Sequence, residues 1–157
     1  MIDTSIIEKI NNIKAFKTKE FGPSYWYVLF TMVLGGSFPH KVNLNDKNHK
    51  KIVKYYKNTF IGLMYTLPCS LCRESYKSFL KINNIDKYLT SKYKLVYWLY
   101  LMRDLVNKKL ISQEKDLISQ GIKPLCITPS SPSFETVINQ YYKKKANKCS
   151  IKCKKCL

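Results

Sequence analysis

The stretch KYLTSKYKLVYWLYLMRDLVNKKL, Lys87–Leu110, carries two apolar stripes at helical spacing. Leu89, Tyr93, Val96, Tyr100, Arg103, Asn107 and Leu110 recur at steps of three and four, and Trp98, Leu101 and Leu105 form a neighbouring row. A helix with two apolar faces has neighbours on both, which is the position of a central helix in a bundle. Working outward, Ile52, Tyr56, Phe60, Leu63 and Leu67 predict a helix from about Asn48 to Tyr65. Pro68 ends it, because the residue before proline avoids the helical region. Cys69 opens the next helix, whose face holds Cys72, Tyr76 and Phe79 or Leu80 and which fades at Asn83-Asn84. Upstream, Gly22-Pro23-Ser24 starts a helix through Trp26, Leu29, Phe30 and Val33 that closes at Gly35-Gly36. Downstream come a short helix at 112–119, a proline-rich loop at 121–133 and a weaker helix at 134–145. No alternating pattern builds a sheet, so the chain reads as all-α. The expected parts are a lead-in (1–20), a helical domain (21–120), a loop and weak helix (121–145) and a flexible tail (146–157).

The 157 residues allow one domain with a real core, and 45% hydrophobic content excludes a disordered chain. The net charge is +18 and comes almost wholly from lysine; arginine occurs only at Arg73 and Arg103. Such a charge favours anionic partners, yet base-edge and bidentate phosphate recognition rest on arginine. Specific nucleic-acid binding is therefore not the expected function. The most apolar run, Tyr25–Phe38, is shorter than the roughly 20 residues of an ordinary membrane span, and the mixed N-terminus lacks a secretory pattern.

Six cysteines in a chain expected to stay in a reducing compartment point to metal or redox chemistry. In LPCSLC, Cys69 and Cys72 sit at a helix N-terminus with their sulfurs on one side. Exposed N–H groups and the helix dipole favour a thiolate there, as a cycling dithiol needs. A thioredoxin-like site would follow a strand, and here a helix precedes the motif. A zinc site would need Cys153 and Cys156 as further ligands, about eighty residues away, or His40 and His49.

GPSYW in the first bundle helix, LPCSLC at the mouth of the third and WLYLMRDLVNKKL in the fourth occur in the order found in the Erv/ALR sulfhydryl oxidases. From Gly22 to Leu110 the chain resembles that family, whose members are FAD-dependent enzymes built on a small four-helix bundle. The family pattern has histidine four residues after the first tryptophan, where this chain has Phe30, and His-Asn five residues after the second, where it has Arg103-Asp104. The family's cysteine two residues after that tryptophan is Tyr100. Poxvirus thiol oxidases are similar in carrying Phe at the first position and Arg with a downstream Asn in the last helix, so the resemblance is to a viral-type member.

That resemblance implies a thiol oxidase that forms disulfides in protein substrates. Cys69 is then the interchange thiol and Cys72 the flavin-facing one, with electrons passing to FAD and on to O2 to give H2O2. It assigns cofactor contacts to Gly22, Tyr25, Trp26, Phe30, Tyr65, Trp98, Arg103, Val106, Asn107, Lys109 and Leu110. It makes Cys153 and Cys156 a shuttle pair on a tail whose lysines lower thiol pKa. Cys149 joins that relay or pairs with Cys126, itself otherwise a loop thiol. A homodimer, no resident metal, and a place in host cytoplasm and virion are implied as well. The rival expectation is a non-enzymatic lysine-rich module that binds nucleic acid or zinc.

Overall fold

Side-chain caps mark the start of the later helices. In the computed structural model, which describes residues 4–124 and 127–145, Asp46 accepts from the N–H groups of Asn48 and His49 and starts α3, Lys47–Thr66. Ser91 accepts from the Lys94 N–H and starts α5, Lys92–Ser119. Ser133 accepts from the Thr136 N–H and starts α6, Phe134–Tyr142. The remaining helices are α1, Thr4–Asn12, α2, Thr18–Leu34, and α4, Ser70–Ile82, with a 3₁₀ turn at Ile85–Tyr88 between α4 and α5. No strand forms among the described residues, so the fold is all-α as expected.

Three boundaries differ from the sequence expectation, each for a physical reason. Helix α2 begins at Thr18 rather than beside Pro23, which lies within its second turn. There proline forgoes one backbone hydrogen bond without stopping the helix. Helix α5 absorbs the short helix expected at 112–119, because neither glycine nor proline interrupts it before Gly121. Gly121 adopts φ of 75°, a left-handed conformation that suits glycine just past a helix end. Residues 85–91 form the 3₁₀ turn and the Ser91 cap instead of the first turns of the long helix.

One core joins five of the helices. Helix α5 supplies Leu95, Val96, Trp98, Leu99 and Met102; α2 supplies Leu29, Phe30 and Val33; α3 supplies Phe60 and Leu63; α4 supplies Tyr76; and α6 supplies Val137. The Phe60 and Trp98 rings meet edge to face at 5.3 Å. The buried indole N–H donates to the Asn83 carbonyl at 2.9 Å, so burying Trp98 leaves no donor unpaired. Between α2 and α3, Gly36 allows close approach. A Cβ there would stand 2.1 Å from both the Met32 carbonyl oxygen and the Tyr56 hydroxyl, which are themselves hydrogen-bonded at 3.0 Å.

The segment expected to be a loop plus a weak helix is strapped to the bundle. Residues 128–132 run back along α5. Thr128 binds the Glu114 carboxylate, Pro129 and Ser131 accept from the Asn107 amide at 2.8 and 3.1 Å, and the Pro132 carbonyl accepts from the Tyr100 hydroxyl at 3.1 Å. Tyr100, Asn107 and Glu114 are seven residues apart and so share one face of the helix. Helix α1, in contrast, buries none of its residues.

Candidate functional site

The Cys69 sulfur is itself the cap of α4. Cys69 is extended, and its sulfur accepts from the Cys72 N–H at 3.3 Å. An N-terminal helix turn leaves four N–H groups unpaired, and here one of them is met by sulfur. Both cysteines are half-buried and free. Two opposing effects act on Cys69. Burial raises its pKa, but the Cys72 thiol, the N–H groups of Cys72 and Leu71, and the Arg73 charge together bring it below the usual thiol value. Burial acts first on Cys72 too, and the neighbouring Cys69 adds to it; against the pull of Lys109 and Arg73, the Cys72 thiol is pushed up to about 12. The proton is thus held more loosely on Cys69 than on Cys72, so Cys69 is the first of the pair to ionise.

Helix α5 brings a cation to this end. The Lys109 ammonium donates to the Ser75 hydroxyl, one turn beyond Cys72, and its charge acts on the Cys72 thiol. Arg73 donates to the Leu67 carbonyl at 2.6 Å, which ties the start of α4 to the end of α3. One turn after Cys72, Tyr76 is buried and donates to the Phe60 carbonyl at 2.8 Å. Burial first, and Tyr25 second, raise its pKa and keep it protonated. Tyr25 faces Phe21 edge-on at 6.1 Å. Both line an apolar groove of about 550 Å³ between α2 and α3, with Leu29, Met32 and Leu63.

The residues expected to hold a cofactor fall into separate places. Lys109 and Tyr25 stand at the cysteine end. Gly22 is half-buried, and a Cβ there would meet nothing within 4 Å. Trp26 is half-buried against the core, Val106 is half-buried and Leu110 is exposed. Trp98 is wholly buried. Phe30 is wholly buried under Tyr141 of α6, stacked at 5.1 Å. Burial raises the pKa of the Tyr141 phenol, while the Arg103 charge nearby pulls it down. Asn107 is bound by the strap. Tyr65 is exposed at the end of α3, on the side of Pro68. Cys126, Cys149, Cys153 and Cys156 lie outside the described residues.

A flavin dinucleotide asks for a flat apolar wall, cations for its phosphates and a thiol near its ring. Among the described residues the cysteine end comes nearest to that list, although its two rings stand edge to face. It has the Phe21 and Tyr25 rings, open space at Gly22, the Lys109 and Arg73 charges and the Cys72 sulfur. At the strap end Phe30 is covered by Tyr141 and the Asn107 amide is bound by the loop, so neither is open to a ligand. Sequence reasoning missed the strap itself. Its signal was present in the seven-residue spacing of Tyr100, Asn107 and Glu114, which puts three hydrogen-bonding side chains on one face of the helix.

Among the described residues no three His, Cys, Asp or Glu side chains converge as a metal site would require, and no helix is long and apolar enough to cross a membrane. No protein-family model matches the chain, and no curated protein matches it in sequence.

Proposed function

We propose that the protein is a thiol oxidase that makes disulfides in protein substrates, with Cys69 and Cys72 as its redox pair. The observation that carries this reading is the α4 cap, where the Cys69 sulfur accepts the Cys72 N–H at 3.3 Å with the Arg73 charge nearby, an arrangement that lowers the Cys69 pKa while burial raises that of Cys72. A merely structural cysteine pair gains nothing from that asymmetry. For a dithiol that exchanges, it separates a reactive sulfur from a resolving one.

In the disulfide form of the pair, a substrate thiolate attacks the Cys69 sulfur. A bond forms between the substrate sulfur and Cys69, the Cys69–Cys72 bond breaks, and Cys72 leaves as a thiolate and takes a proton. A second substrate thiolate attacks the sulfur joined to Cys69. The substrate leaves as a disulfide, Cys69 leaves as the stabilised thiolate, and two electrons rest on the pair. Lys109 and Arg73 favour loss of the Cys72 proton when that sulfur must react again.

FAD, the cofactor implied by the likeness to the Erv/ALR oxidases, supplies when bound a two-electron acceptor that O2 reoxidises to give H2O2. Tyr25, Gly22 and Lys109 are the residues whose surroundings support holding it. The homodimer, the viral setting and the use of Cys153 and Cys156 as a shuttle rest on the same likeness and belong to the proposal.

An anaerobic titration tests cofactor and dithiol together. The purified protein is expected to be yellow, with a flavin spectrum that a small dithiol bleaches and air restores. A colourless protein that binds DNA with a steep dependence on salt would replace this reading with the lysine-rich binding module.

A further inference from the structure

The segment between α1 and α2 folds back against the cysteine turn. The Phe16 N–H donates to the Pro68 carbonyl at 3.2 Å, immediately before Cys69. This single backbone bond holds residues 13–16 beside the turn, and together they border a groove of about 250 Å³. Its rim mixes polar groups with large apolar side chains open to solvent. Ile13 and Phe16 are each 55% exposed and Tyr65 on the opposite wall is 74% exposed; Leu71, outside the groove between the two cysteines, is 74% exposed as well. Large apolar side chains gathered at this exposure mark a contact surface.

The charge in the groove has one sign. Lys14 and Arg73 line it, and no carboxylate is among its lining residues. Arg73 is anchored on the Leu67 carbonyl, so one charge is fixed and the other, on Lys14, is on a side chain that reaches only the Asn11 carbonyl. A peptide segment whose sulfur meets Cys69 lies next to this surface, since the groove begins at the residue before that cysteine.

We infer that the groove formed by residues 13–16 and the Tyr65–Pro68 turn is the docking site for the protein substrate. The occupant is an extended cysteine-bearing segment, with an apolar residue beside its cysteine and acidic residues nearby. The inference rests on the thiol-oxidase reading and adds its substrate chemistry. Ile13, Phe16 and Tyr65 grip the apolar residue. Lys14 and Arg73 draw in the carboxylates and orient the segment, as charges at a contact rim do. A small dithiol has neither feature and reaches Cys69 without the groove.

The experiment compares two reduced dithiol peptides with dithiothreitol on the full chain. One peptide carries Leu and Glu around its cysteines, the other Gly and Lys. The parent protein should oxidise the first faster than the second. The I13S/F16S variant should lose about tenfold in kcat/KM for the Leu/Glu peptide, chiefly through KM, a loss worth about 1.4 kcal/mol of transition-state stabilisation. Its dithiothreitol turnover should not change. Both side chains are exposed and the anchoring bond is a backbone one, so the fold is not at risk. Lys14→Glu should narrow the preference between the peptides, and added salt should narrow it in the parent. Equal rates for the two peptides, or an equal loss with dithiothreitol in the double variant, would overturn the inference and leave the oxidase standing. A parent protein that oxidises no dithiol at all would overturn both.

Discussion

The two ends of the bundle treat their polar and aromatic groups in opposite ways. At the cysteine end, the thiol pair, Lys109, Arg73 and Tyr25 surround a half-open site in which charges act on one another through partly wet space. At the strap end, Phe30, Asn107 and Tyr100 are each taken up by α6 or by the loop before it. Both ends include residues that the likeness to the sulfhydryl oxidases assigns to a cofactor. The cysteine end borders open grooves, while the strap end is covered. A side chain that has met its partner within the chain contributes to stability, while one that is left with field and space is free for chemistry. The comparison therefore makes separable predictions for the two ends.

The largest effect is expected at the cysteines. Cys72→Ser or Cys69→Ser should reduce dithiol-dependent oxygen uptake by at least about a hundredfold, and thermal melting should stay near the parent's. Full activity in either variant would take the chemistry away from this end. Phe30→Ala should do the reverse. Removing a fully buried ring costs about 3–5 kcal/mol, read as a lower denaturant midpoint, while the folded fraction keeps its turnover with a small dithiol. Asn107→Ala should cost about 1 kcal/mol through its two lost hydrogen bonds to the strap. A folded Asn107→Ala protein that had lost flavin would move the cofactor to the strap end and invert the comparison.

The smallest effect is a shift in pH dependence. The folded Cys69 pKa lies below that of an ordinary thiol, so its thiolate persists as the pH falls past the usual thiol range and is lost only below the depressed value. Alkylation of the dithiol-reduced protein should therefore show a midpoint on the acid side of a free cysteine. Arg73→Ala removes one of the groups that lower this pKa, and the midpoint should move back toward alkaline pH. No movement would leave the backbone N–H groups and Cys72 as the sole stabilisers.

Much of this was legible in the chain because its signals are local. The expected helix at Asn48–Tyr65 is found at Lys47–Thr66, since apolar steps of three and four and Pro68 define it without help from elsewhere. Cys69 at the mouth of α4 follows from the same proline and from the i, i+3 spacing of the pair. What the sequence concealed depends on docking. Nothing near Lys109 says that it will reach Ser75 and Cys72, because that contact needs α5 to cross α4. Nothing near Phe30 says that Tyr141, more than a hundred residues later, will cover it. The length of α5 was concealed for another reason. The apolar stripe lapses after Leu110, and the helix continues because nothing stops it and the strap binds Glu114.

The sulfur cap on α4 has an energetic consequence beyond reactivity. A negative Cys69 completes the first turn of that helix and sits where its dipole is positive; tied into a disulfide, the same atom is neutral and caps it less well. The helix is therefore better satisfied after the pair has gained electrons than before. By linkage, whatever favours the reduced form raises the reduction potential of the couple, so the secondary structure itself makes the pair a readier oxidant.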